Sequence, residues 1–204
     1  MEKIVANSLR INIIGGGPGG LYFSILMKLA NPKHQITVYE QNKPDDTFGF
    51  GVVFSDETLE NFMGQDPVTY QEIKDQFAYW DQIEVRYRGE RIRSGGHGFA
   101  GMARMTLLNI FRERCRGLGV EVIYETVIKD LKTLQNADLV VAADGVNSFV
   151  RESLKSHLKP TVDMRKTKFV WLGTTQKFDA FTFIFKENQH GWFYNHAYQY
   201  GQGV

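Results

Sequence analysis

At 204 residues the chain suits one large domain, or one domain and part of a second, and 43% hydrophobic with 23% charged residues is an ordinary globular composition. A net charge of +1 gives no reason to expect nucleic acid or a membrane surface as partner, and no apolar run approaches the roughly 18 to 20 residues of a membrane span. The single cysteine, Cys115, excludes an internal disulfide and a cysteine-rich metal site; "MEKIVANSLR" lacks the apolar centre of a signal peptide, so a cytoplasmic protein is expected.

Residues 10 to 15 (RINIIG) read as a buried strand, β-branched and stopped by glycine. "LYFSILMKLA" has no breaker and ends at "NPK", which predicts a helix, and "HQITVYE" predicts a second strand closing on Glu40. The three make a βαβ unit, the crossover that a parallel pair of strands requires. "NKPDDTFGFGVVFSD" reads as a loop. "SDETLENFMG" reads as a short helix capped by Ser55 or Asp56, and "QEIKDQFAYW" as another helix.

Residues 82 to 94 alternate, with Ile83, Val85 and Tyr87 facing one way, Glu84, Arg86 and Arg88 the other, and Gly89 at a hairpin turn. "GMARMTLLNIFRERCRGLG" sets Leu107, Leu108, Phe111, Cys115 and Leu118 at helical spacing, with Gly117 or Gly119 as its stop. "VEVIYETVIKDL" is strand-like, and "ADLVVAADGVNS" reads as a buried strand breaking at Asp144-Gly145. From Phe169 onward "FVWLGTT", "AFTFIFKEN" and "GWFYNHAYQY" read as strands. The expected fold class is therefore α/β. A Rossmann-like nucleotide-binding domain with a parallel sheet takes residues 9–81 and 95–164, and an interleaved, incomplete antiparallel β-sheet takes 82–94 and 165–204.

Gly15, Gly17 and Gly20 form G-x-G-x-x-G between a strand and a helix. The first glycine permits the tight turn, the second lets a pyrophosphate approach the backbone, and the third lets the helix pack close to the strand. Ser24 is small enough to keep that packing close. The phosphate is expected at the helix N-terminus, where unpaired N–H groups and the dipole favour an anion. Glu40, 20 residues after Gly20, is placed to accept hydrogen bonds from a ribose diol. The bland alternative at this motif is a structural glycine turn. Asp144-Gly145 at a strand end is by itself a turn signal; paired with the first motif it offers a second grip on an extended cofactor.

"GGGPGGL", "VYE", "GMARMTLLNIF" and "VVAADGVNSFVR" together resemble the FAD-dependent aromatic hydroxylases, the single-component flavoprotein monooxygenases. "DDTFGFGVVFSDETLENF", "GHGFAGMAR" and "FVWLGTTQKFDAFTF" are similar to the narrower branch that hydroxylates salicylyl-CoA and anthraniloyl-CoA. The resemblance spans roughly residues 9 to 200 and implies FAD, NADH or NADPH as reductant, and O2. It also implies a small aromatic substrate, in the narrower branch a CoA thioester of a hydroxy- or aminobenzoate, hydroxylated by way of a flavin hydroperoxide. By resemblance, Gly15, Gly17 and Gly20 match the pyrophosphate turn and Glu40 the adenosine ribose. Arg104 matches an arginine near the ribityl-phosphate region, Asp144 and Gly145 the motif gripping the flavin side, and Gly51 and Val52 the loop beside the isoalloxazine ring. Where the family often has arginine after the ribose glutamate, this chain has Gln41. The resemblance further predicts roughly 150 to 200 more residues after Val204, carrying a second Gly-Asp motif and the rest of the substrate sheet. Two other readings stay open: an FAD or NAD oxidoreductase of another substrate class, and a non-catalytic fragment that binds FAD.

Arg86, Arg88, Arg91 and Arg93 cluster on the hairpin, as a solvated strand face or as a seat for a phosphate-rich tail such as that of CoA. Eleven aromatics fall between Phe169 and Tyr200, with Phe181, Phe183 and Phe185 on one face, as core or as a wall for a flat ring. His97 reads as a loop residue, and His190 and His196 have no metal-ligand spacing, so no metal is assigned. The oligomeric state and the catalytic residues are left open.

Overall fold

A computed structural model describes residues 7–201. Most of the residues on which the leader reading rests, 1–6, and the terminal 202–204 lie outside the described residues. In chain order the elements are β1 (Arg10–Ile14), α1 (Pro18–Ala30), β2 (Gln35–Tyr39), β3 (Gly51–Ser55), α2 (Asp56–Gln65), α3 (Pro67–Lys74), β4 (Ala78–Trp80), β5 (Ile83–Tyr87) and β6 (Glu90–Ser94). There follow β7 (Phe99–Ala103), α4 (Arg104–Gly117), β8 (Glu121–Ile123), a 3-10 turn (Leu131–Leu134), β9 (Leu139–Ala142), α5 (Phe149–Ser153), α6 (Lys155–Leu158), β10 (Phe181–Asn188) and β11 (Gly191–Ala197). No helix among the described residues is long and apolar enough to cross a membrane.

The chain divides into two units. One is drawn from Met1–Asp46 and Leu108–Phe169, the other from Thr47–Leu107 and Val170–Val204. Residues 47–81 and 95–107 thus group with the second unit rather than with the nucleotide-binding pattern, because β3, β7 and β4 form a sheet of their own.

In the first unit a wholly parallel sheet runs in the order β8-β2-β1-β9. Ile11, Ile13, Leu21, Ile25 and Val38 are fully buried, so the apolar faces of β1, α1 and β2 are what hold the βαβ crossover together. Ile14, Leu134 and Val150 form a second buried cluster with Tyr39, Ile128 and Leu131 around it. Cys115 is buried on α4, and its thiol contacts the Leu21 carbonyl at 3.4 Å; burial pushes its pKa up to about 12, so it packs as a neutral apolar group. Two strand expectations change here. "VEVIYETVIKDL" yields only the short β8 and the 3-10 turn, and β9, read as buried, is open: Leu139 is 38% and Val140 39% exposed. β9 pairs only with β1 among the described residues, so its apolar run lacks the second neighbour that a central parallel strand has.

In the second unit β3-β7-β4 is antiparallel. The stretch 42–56 is therefore not all loop, since Gly51–Ser55 pairs with Phe99–Ala103, and the helix read over 71–80 ends at Lys74 with 78–80 forming β4. Ser55 caps α2 by accepting from the Thr58 amide at 3.4 Å. The second sheet runs β11-β10-β5-β6 and is antiparallel except where β10 lies parallel to β5. Its β5–β6 hairpin turns on two residues of positive φ, Arg88 at 49° and Gly89 at 89°, which matches the twist of the flanking strands. "FVWLGTT" forms no strand, and Phe169 is 78% exposed.

Candidate functional site

The β1–α1 turn is built by backbone constraints that can be separated glycine by glycine. Gly15 donates to the Tyr39 carbonyl at 2.8 Å, and the Ala143 amide donates to the Ile14 carbonyl at 2.8 Å, so both neighbouring strands clamp the turn. At Gly15 φ is +106°, and a Cβ would run into the Ala143 carbonyl. A Cβ on Gly20 would strike the Gly15 carbonyl oxygen, the close strand–helix approach expected of the third glycine. Ser24 is fully buried four residues on and donates to the Gly20 carbonyl at 2.7 Å.

Gly17 differs. Its φ of −75° and ψ of 179° suit any residue, and a Cβ there meets nothing within 4 Å. Neither strain nor packing within the chain demands glycine at this position. As the N-cap of α1 it offers no side-chain cap, Pro18 follows, and the first turn holds no acidic residue. The amides of the first turn are thus left for an outside acceptor, where the helix dipole favours an anion.

Glu40 follows β2, and its carboxylate is turned back onto the turn. Oε2 accepts from the Gly16 amide at 2.7 Å, and Oε1 accepts from the Asn42 amide and side chain, each at 2.8 Å. Oε2 keeps acceptor capacity beyond that one bond. Asp144 lies beside Gly15, where a Cβ on the glycine would come within 3.1 Å of the Asp144 Cα. Its Oδ1 accepts from the Ser148 hydroxyl at 2.6 Å and its Oδ2 from the Val150 amide at 3.1 Å, while Ser148 caps α5. The first act of this carboxylate is to order its own loop. Gly145 has φ +79°. Gly15, Gly17, Gly20, Glu40, Asp144 and Gly145 therefore gather at the C-terminal ends of β1, β2 and β9. Strand order departs from β1 in both directions there, the crevice position of open α/β sheets.

Gly51, Val52 and Arg104 belong to the second unit, where Gly51 pairs with Ala103 and the Arg104 amide donates to the Phe50 carbonyl at 2.9 Å. The Tyr198 hydroxyl donates to the Gly51 carbonyl at 3.1 Å, and burial raises its pKa, keeping it a donor. A Cβ on Gly51 would lie 2.6 Å from Tyr200 Cβ, so glycine here admits the tyrosines. The Arg104 Nε is buried and meets no acceptor among the described residues. Asn42, Ser148, Tyr198 and Tyr200 are partners that sequence reasoning missed. Only Ser148 carried a signal, as a cap-type residue ahead of a short helical run.

On the four-stranded sheet the two faces differ in chemistry. One carries Phe181, Phe183 and Phe185, with Phe181 against Trp80, Phe99 and Tyr198 at ring-centroid distances of 6.2, 5.3 and 5.6 Å. Trp192, Phe193 and Tyr194 are exposed, so core packing does not account for the whole aromatic run. The other face carries the hairpin charges. His97 lies in a loop against the Ser94 hydroxyl at 2.9 Å.

No family model matches the chain. A salicyloyl-CoA 5-hydroxylase from a Streptomyces species is 44% identical to it over 190 residues, covering 93% of this chain and 37% of that protein. The chain is homologous to aromatic monooxygenases. A 3-hydroxy-4-methyl-anthranilyl-[aryl-carrier protein] 5-monooxygenase from Streptosporangium sibiricum is 31% identical over 192 residues, covering 94% of this chain and 54% of that protein. The chain thus spans between a third and a little over half of the length of these two relatives. Among solved structures, 2-methyl-3-hydroxypyridine-5-carboxylic acid oxygenase superposes with a TM-score of 0.63 at 24% identity, over 73% of this chain and 43% of that one, a likeness of fold.

The FAD implied for these monooxygenases fits the residues of the first unit on one observation: the unexplained glycine at position 17 over an uncapped helix start.

Proposed function

We propose that this chain supplies the FAD-binding core, and part of the substrate-binding sheet, of an NAD(P)H-consuming aromatic-ring monooxygenase acting on an aromatic acyl thioester of CoA. One observation carries the reading: Gly17 is a glycine that the folded chain itself does not require, at the spot where a pyrophosphate would meet α1. FAD, when bound and reduced by NADH or NADPH, supplies the activation of O2.

The residues of the chain bind and orient. The Gly19 and Gly20 amides receive the pyrophosphate, with Gly15 and Gly20 holding the turn in shape. Glu40 Oε2 takes a ribose hydroxyl while its bond to Gly16 fixes its position. Asp144 and Gly145, their loop ordered by Ser148, present backbone toward the flavin side of the cofactor. Within the second unit, the Nε of Arg104, without an acceptor among the described residues, suits an anion. The aromatic face around Phe181 offers a flat, water-excluding wall for the substrate ring. The homology of 44% to a salicyloyl-CoA hydroxylase supports the choice of substrate class.

Flavin fluorescence titration tests the reading. The purified chain should take up FAD stoichiometrically, and Gly17→Val should weaken uptake about tenfold or more with an unchanged far-UV circular dichroism spectrum. A parent chain that takes up no FAD, or a Gly17→Val variant that binds it as the parent does, overturns the assignment.

A further inference from the structure

The hairpin face opposite the aromatic wall is more ordered than a row of solvated arginines. The register pairs Glu84 with Arg93 and Arg86 with Arg91, which sets all four on one face of β5–β6. Glu84 is only 1% exposed. One of its carboxylate oxygens takes the Arg86 Nε, and the other takes the Arg93 Nε at 2.6 Å. Burial pushes the Glu84 carboxyl up, but the hydrogen bonds and charges of Arg93 and Arg86 outweigh it and hold the group below its ordinary value. Arg93 turns its two terminal nitrogens to Gln82 at 3.3 Å and Asp179 at 2.8 Å.

Arg86 is different. It is fixed through Nε alone, its terminal nitrogens form no hydrogen bond among the described residues, and its guanidinium lies 5.8 Å from the centre of the Phe178 ring. Arg91 and Lys177 are exposed and form no ion pair among the described residues. Arg86, Arg91, Arg93 and Lys177 line one groove with Phe178, Asp179 and Gln199. Four cations there face two carboxylates, one of them buried beneath, so the groove is positive.

A guanidinium anchored through Nε on a buried carboxylate has already lost its rotamer freedom and presents its two other nitrogens as a fork. Such a fork suits phosphate oxygens, and cations spread along a hairpin suit more than one phosphate. We propose that this groove binds the polyphosphate, nucleotide end of the CoA thioester, leaving the acyl ring to the aromatic residues. The assignment rests on the CoA-thioester reading of the site above and adds the place where the tail is held. The phosphopantetheine arm is common to CoA and carrier-protein thioesters; the spread of cations favours the nucleotide-bearing form.

The test is isothermal titration of the full chain with coenzyme A and with 4′-phosphopantetheine, alongside the FAD titration. CoA should bind, more weakly as salt rises, and better than 4′-phosphopantetheine. The Arg91→Glu, Lys177→Glu double variant, altered only at exposed positions, should weaken CoA about tenfold or more while leaving FAD affinity unchanged. A double variant that binds CoA as the parent does, a parent that does not bind CoA, or equal affinity for the two probes overturns the proposal. Loss of FAD uptake with CoA binding intact would instead overturn the monooxygenase reading.

Discussion

The β1–α1 turn and the β5–β6 hairpin are both suited to anions, and they are built in opposite ways. The turn has no charged side chain aimed outward: amides at a helix start do the work, and glycines clear the approach. The hairpin relies on guanidiniums, held in place by a buried carboxylate. A site made of backbone is specified by sterics and tolerates almost no change at Gly15 or Gly20. A site made of side chains is specified by partners, and its character depends on which charges the fold neutralises.

The strongest way to break the contrast is at Gly15. Gly15→Val combines a φ of +106° with a collision against the Ala143 carbonyl, and should destabilise the first unit by about 4 kcal/mol or more, read by urea denaturation. Its loss of FAD would then follow from a distorted turn, whereas Gly17→Val should lose FAD without losing stability. Similar denaturation midpoints for the two variants would erase the distinction.

Next in size is Glu84→Gln, which leaves Arg86 and Arg93 without their shared counter-charge. Partial exposure of both arginines moderates the cost to about 2 kcal/mol. The lowered carboxyl pKa makes a second readout available. Its stabilising contribution is complete above the unfolded-state value of about 4.3 and disappears as pH falls through the lower folded value. The parent should therefore lose stability on acidification more steeply than Glu84→Gln, and parallel pH profiles would contradict the buried ion-pair geometry.

Gly145→Ala should cost about 1 kcal/mol, since φ is +79° but a Cβ there meets open space. The last comparison concerns Cys115, at alkaline pH. With its pKa pushed up to about 12, the folded thiol stays protonated, so its contribution is complete below the unfolded value of about 8.5 and fades as pH rises toward 12. Cys115→Ala should flatten the alkaline end of the stability profile. The native parent should also resist thiol alkylation at pH 8 until denaturant is added; rapid labelling of the folded chain would show the burial to be wrong.

Much of the first unit was legible because its constraints are local. A β-branched run, three glycines at fixed spacing and a breaker-free helix leave few ways to build β1, α1 and β2; Glu40 was read from its distance to Gly20, and Asp144 from the break that ends its own strand. The misreadings have a common cause, for "ADLVVAA" and "FVWLGTT" are apolar and β-branched whether or not a neighbour covers them. β9 stands open at the sheet edge, and 169–175 forms no strand. The short strands β3 and β4 were likewise hidden, inside a glycine-rich loop and at the end of a helical pattern, because only pairing with β7 makes them strands.

By itself, the sequence determined the βαβ crossover and the shape of its glycine turn, since these rest on steric rules acting over a few residues, and a homology to aromatic monooxygenases that rests on identity along 190 residues. The tertiary structure decided the rest. It showed which glycines are required by the chain and which are not, set β10 parallel to β5, and put Glu84 beneath two of four arginines. The β10–β5 pairing depends on segments about a hundred residues apart meeting, and the burial of Glu84 follows from the strand laid beside it, which no local pattern encodes.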